Sequence, residues 1–61
     1  MKILKALYTM KNGYDEVLFK EGELYEVSDE DNQRYWVMNE IGLETPIRIK
    51  KVENGEDFEE V

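Results

Sequence analysis

Between Asp29 and Glu40 the chain sets oxygen ligands at the spacing of a calcium loop, with Asp29, Asp31 and Gln33 at alternate positions and Glu40 in the twelfth. A loop of that type wraps a hard cation in carboxylate and carbonyl oxygens, and it needs glycine at its sixth position to turn sharply. Arg34 occupies that position, and strand-like residues follow where a helix should continue. The segment therefore reads as a solvated loop, and no metal is expected. The acidic pairs Asp15-Glu16 and Glu59-Glu60 are adjacent in sequence, so in strands their side chains leave opposite faces and form no fixed acid/base dyad. Ser28, Thr9 and Thr45 have no histidine or cysteine to activate them, which leaves lysine as the one conceivable base. With no histidine, the side chain most used for proton transfer near neutral pH is missing. A phosphate cradle would need a glycine-rich loop opening a helix, and neither is visible. No catalytic residue and no cofactor are expected, and the chain does not read as an enzyme.

The elements that must position these side chains read as strands. Short runs rich in Val, Ile, Tyr, Trp and Phe are separated by turn residues at intervals of roughly 8–12, the all-β pattern. Asn12-Gly13 and Asn54-Gly55 suit two-residue type I′ hairpin turns, whose central positions both need positive φ. Folding about the first places Met10 opposite Asp15 and Tyr8 opposite Val17. Folding about the second places Lys50 opposite Glu59 and Lys51 opposite Phe58. In the run Leu24 to Ser28, Tyr25 and Val27 share one face and are expected in the core. Tyr35-Trp36-Val37-Met38 is apolar on both faces, and Trp36 and Met38 are expected to point inward. Asn39-Glu40-Ile41-Gly42 supplies a tight turn, after which Leu43 to Val52 returns as the last barrel strands, with Pro46 acceptable at an edge or strand start. The end, Glu56 to Val61, is either an extra C-terminal edge strand or a frayed acidic tail, fraying being the default for a terminus.

Composition narrows the classes further. Sixty-one residues make one domain, residues 1–61, of a size that buries only about 60% of the surface its unfolded chain exposes. The absence of cysteine removes disulfides and thiolate metal sites and suits a cytoplasmic setting. The apolar start MKILKAL is broken by Lys5 and leads to no small-residue cleavage site, so no signal peptide is expected. No stretch could span a bilayer.

Charge is uneven along the chain. Residues 1–20 hold four lysines against Asp15 and Glu16, residues 21–40 hold seven acids against Arg34, and the remainder holds six acids against Arg48, Lys50 and Lys51. The net −7 opposes phosphate backbones, so direct nucleic-acid binding is not expected, and partners with basic surfaces are favoured.

Ala6-Leu7-Tyr8 resembles the opening of an SH3 domain, and Asp15 to Glu23 resembles the diverging-turn segment of that family. Tyr35-Trp36 falls where the family has paired tryptophans, and Gly42 to Val52 has the length of its closing segment. The resemblance implies an all-β, SH3-like five-stranded small barrel of two orthogonal sheets. It also implies an aromatic groove of the kind that docks extended proline-rich peptides. In this chain Tyr8 matches a groove tyrosine, while Met10 stands where a second is usual and Tyr35 stands for the first tryptophan. Arg48 falls at the groove proline and Lys51 at the groove tyrosine, so two stacking surfaces are replaced by positive charge. Asp15, Glu16 and the run Asp29, Glu30, Asp31 lie where the family reads a basic ligand residue. The run Phe19 to Val27, followed by an acidic loop, an aromatic-rich strand, then Gly and a short basic strand, also resembles very short acidic proteins encoded by phages and mobile elements of Gram-positive bacteria, which often act by binding a host enzyme and sometimes imitate the charge of DNA.

These observations lead to a non-catalytic protein-binding module. Its expected contact surface comprises Tyr8, Met10, Asp15, Glu16, Asp29, Glu30, Asp31, Tyr35, Trp36, Arg48 and Lys51. The partner is expected to be a protein with a basic surface, with no nucleic acid or membrane involved and the chain a monomer or weak homodimer. The alternatives are an acidic DNA-mimicking inhibitor of a host nucleic-acid enzyme and a structural homo-oligomer subunit.

Overall fold

The computed structural model describes residues 1–61. Seven strands and one short helix follow in order: β1 (Ile3–Ala6), β2 (Met10–Lys11), β3 (Val17–Phe19), β4 (Leu24–Glu30), β5 (Arg34–Met38), β6 (Glu44–Arg48), α1 (Ile49–Glu53) and β7 (Phe58–Glu60). Five strands form one antiparallel sheet in the order β6-β5-β4-β1-β7, curled into a half-barrel, and β2 and β3 form a separate two-stranded ribbon. No helix is long and apolar enough to cross a membrane.

Period-two alternation builds the core. Leu4 and Ala6 from β1, Phe19 from β3, Tyr25 from β4, Tyr35 and Val37 from β5, Ile47 from β6, Val52 from α1 and Phe58 from β7 are all buried. Val27 packs against them, so the expected inner face of β4 is correct. Phe19 is the hub: its ring meets Tyr25 at 4.9 Å and Phe58 at 5.0 Å, both edge-to-face. Edge-to-face pairs of this kind add about 0.5–1.5 kcal/mol each beyond the area they bury.

The faces of β5 are the reverse of the expected ones. Tyr35 and Val37 point inward, while Trp36 is only partly buried and Met38 is 46% exposed. The partner strand decides this. β6 alternates Glu44, Pro46 and Arg48 with Thr45 and Ile47, and the register sets Ile47 opposite Tyr35 and Thr45 opposite Val37. Turning Trp36 inward would carry Glu44 and Arg48 into the core with it.

The two Asn-Gly turns also differ from expectation. Met10 pairs with Phe19 and Lys11 with Val17, across an irregularity in register, instead of Met10 with Asp15. The Asn12 side chain is the cause: its Oδ1 accepts from the backbone N–H of Tyr14 at 2.8 Å and of Glu16 at 3.1 Å, which holds a wider loop. Asp15 takes the positive φ in place of Gly13, as a short polar side chain tolerates. At the second site, Asn54 caps α1, with its N–H donating to the Lys50 carbonyl, and Gly55 with φ 66° ends the helix. Glu59 and Phe58 then pair with Lys5 and Ala6 of β1, so the chain ends in an edge strand and not in a hairpin with Lys50 and Lys51.

The expected turn after β5 is present and is built around a buried polar residue. Asn39 is 8% exposed; its Oδ1 accepts from the N–H of Ile41 and of Leu43, and its Nδ2 donates to Thr45 Oγ1 at 2.9 Å. Gly42, with φ 85°, closes the turn. Full satisfaction makes Asn39 tolerable inside a small core, where an unpaired amide would cost roughly 1–3 kcal/mol.

Candidate interaction surface

The outward side chains of β5 and β6 form three rungs: Arg34 opposite Arg48, Trp36 opposite Pro46, and Met38 opposite Glu44. The Arg34 guanidinium lies 5.5 Å from the centre of the Trp36 ring, which places both on the same face. Local hydrogen bonding explains why proline is tolerated here. The Trp36 carbonyl accepts from Ser28 Oγ at 2.9 Å and the Arg34 carbonyl from the Asp31 N–H at 2.9 Å, so the backbone of these residues is turned toward β4. Pro46, opposite Trp36, therefore turns its nitrogen to the open edge of the sheet, where no ladder bond is lost. A bulge between Val27 and Asp29 in β4 brings Asp29 opposite Trp36, on the margin of the same face.

Asp31 shapes the loop beside this face. Its Oδ1 accepts from the N–H of Gln33 and of Arg34, both at 2.8 Å, and its Oδ2 stands 3.6 Å from Arg34 Nε. The two backbone donors first, and the Arg34 charge after them, hold its carboxyl below the ordinary aspartate range. Asp29 Oδ1 accepts from the Glu30 N–H, and Glu30 pairs with Lys2 at 3.3 Å. The acid run at the end of β4 is thus occupied in part with its own turn.

A concavity of about 320 Å³ lies where β6 and β7 approach the ribbon. Met10, Leu18, Phe19, Pro46, Ile47 and Phe58 supply its apolar lining, with Arg48, Lys51 and Asp57 also along it. Tyr8 stands beside it and uses its hydroxyl as a clamp, donating to Asp57 Oδ1 at 2.6 Å, while Lys51 lies 3.8 Å from the same carboxylate. That hydrogen bond to an anion is the main reason the Tyr8 phenol is raised above its ordinary pKa, with burial and the Asp57 charge adding to it.

The expected contact residues thus fall into separate places. Trp36, Arg48 and Asp29 meet at the outer face of β5 and β6, whereas Tyr8, Met10 and Lys51 surround the seam beside the ribbon. Asp15 and Glu16 stand apart at the ribbon tip, engaged with Lys11 and Asn12. Tyr35 requires a correction, because it is 5% exposed and belongs to the core. Its hydroxyl accepts from Lys2 Nζ at 3.2 Å, which raises the lysine pKa, with Glu30 contributing next. Sequence reasoning missed Arg34, Met38 and Pro46 as members of the outer face. The signal was present in β6, where charged Glu44 and Arg48 alternate with Ile47.

A scan of protein-family models finds no match to this chain, and neither does a search of curated proteins or of solved structures.

Proposed function

We propose that the chain is a non-catalytic protein-binding module on an SH3-like half-barrel, and that the outer face of β5 and β6 is its contact surface for a polypeptide. The order β6-β5-β4-β1-β7, with a ribbon after β1 and one helical turn before β7, supports the SH3-like reading. The observation that carries the functional reading is the Trp36–Pro46 rung with Met38 beside it, a run of large apolar side chains on the face turned away from the core. Aromatic and methionine side chains of this kind dominate the energetic centre of protein interfaces. The uncompensated edge of β6 and the margin at Asp29 give a peptide backbone and its side chains polar partners beside the apolar rung.

Selection of a displayed random-peptide library on the immobilised protein tests this reading. Peptides are expected to be enriched that lose binding to the folded Trp36→Ala variant. Equal retention by that variant would show that another surface is in use.

A further inference from the structure

Beyond the apolar rung, the same face runs into a cleft of about 550 Å³ between the β4–β5 loop and α1, lined by Asn32, Gln33, Arg34, Arg48, Lys50 and Glu53, with Ile49 its one apolar lining residue. Three cations therefore face one carboxylate, in a chain of fifteen acids and eight bases. Acids outnumber bases almost two to one, so most bases find a partner: Lys2, Lys5, Lys11, Arg34 and Lys51 each have a carboxylate oxygen within 4.0 Å. Of the remaining three, Lys20, Arg48 and Lys50, the last two are both in this cleft. Arg34 and Arg48 are moreover direct cross-strand partners, an arrangement in which like charges destabilise a sheet. Folding alone gives no reason to hold three positive groups together here.

We infer that this cleft receives an acidic side chain of the bound polypeptide, an aspartate or glutamate two residues away from the apolar side chain that rests on Trp36 and Pro46. This rests on the proposed peptide-binding role of the outer face and names the chemistry of its ligand. Guanidinium groups present planar forks that match a carboxylate in bidentate fashion. The Arg34–Arg48 rung lies two residues along β5 from the Trp36–Pro46 rung, about 7 Å in an extended strand. An extended peptide running beside β6 places its own i and i+2 side chains at that same interval. A polyanion such as nucleic acid fits poorly, since its continuous charge would meet the net −7 of the rest of the molecule. A carboxylate delivered singly meets only the local positive cleft.

The test is the sequence pattern of the selected peptides, followed by titration of one of them against wild type, Arg48→Gln and Arg48→Glu. Enrichment of Asp or Glu at a fixed spacing of two from an apolar residue is expected, with affinity falling at least about 10-fold for Arg48→Gln, as loss of a charge-assisted hydrogen bond implies. The affinity of a peptide with Gln in place of its acid should fall similarly. The free Arg48→Glu protein should melt a few degrees higher than wild type, because it exchanges a repulsive rung for an attractive one, while binding the acidic peptide more weakly still. Selected peptides with no acid preference, or an unchanged affinity in Arg48→Gln, would overturn this inference and leave the apolar contact standing. Failure to select any peptide would overturn both. Displacement of the peptide by millimolar inorganic phosphate, with an oligonucleotide binding in its place, would reassign the cleft to phosphate and also overturn it.

Discussion

The two faces of the β5–β6 hairpin have been given opposite tasks by alternate residues of the same short sequence. The inner face carries Tyr35 and Val37 against Ile47 and Val27, and Val37 is completely buried. The outer face carries Trp36, Met38 and Pro46 between Arg34 and Arg48 at one end and Glu44 at the other. Both are rich in large apolar groups, so hydrophobicity alone does not distinguish them. What does is the company each keeps: uncharged partners inside, charged rungs outside. The row whose cross-strand partners exclude Glu44 and Arg48 is the one that faces the core.

The sharpest way to break the comparison is to remove one ring from each face. Tyr35→Ala is expected to cost about 3–5 kcal/mol, as truncation of a buried aromatic does, and so most of the stability of a domain with roughly 3–9 kcal/mol in total. Urea denaturation followed by circular dichroism will read that as loss of the folded baseline. Asn39→Ala attacks the device that sets which face is which. Removing an amide that serves two backbone N–H groups and Thr45 should cost about 1–3 kcal/mol, and amide exchange should accelerate first at the β5–β6 turn. Trp36→Ala, on the outer face, should cost no more than about 1 kcal/mol by the area its half-buried ring covers. A cost as large as that of Tyr35→Ala would merge the two faces into one core.

The smallest effect is expected at the loop beside the cation cleft. Because the Asp31 carboxyl is held below its ordinary value in the folded state, the unfolded chain takes up the proton first as pH falls. Its contribution is therefore fully present above about pH 4 and is lost as the pH drops below it. Asp31→Asn should flatten the acid side of a stability-against-pH curve by lowering stability at pH 7 while changing little at acid pH, where the carboxylate's contribution is already lost. An unaltered acid limb would mean that the loop is not organised by this carboxylate.

Much of the strand content was legible, because β-branched and aromatic runs between turn residues leave few alternatives, and Tyr25, Val27 and the Asn39–Gly42 turn were placed correctly. The faces of β5 were not, although the information lay across the hairpin: the turn at Gly42 fixes Ile47 opposite Tyr35, and the charges of β6 then orient both strands. Asn12-Gly13 misled for a different reason. Its dipeptide permits a tight turn, but the Asn12 side chain satisfies two backbone donors in a longer one, and that choice depends on three-dimensional hydrogen bonding. Asn54-Gly55 has the chemistry of a helix end as much as of a hairpin, and five residues of α1 are too few to show a helical period. Arg34 and Arg48 are far apart in sequence, so their meeting in one cleft follows only from the register.

Trp36 is the single tryptophan, so its indole N–H is a unique reporter for the account as a whole. Titration of the isotope-labelled protein with a selected peptide, followed by NMR, should shift the Trp36 indole signal together with the amides of Arg34, Met38 and Arg48, while those of Asn12 to Glu16 at the ribbon tip remain in place. A bound peptide that moves the ribbon tip or β7 and leaves the Trp36 indole unchanged would contradict the assignment of the outer face as the contact surface.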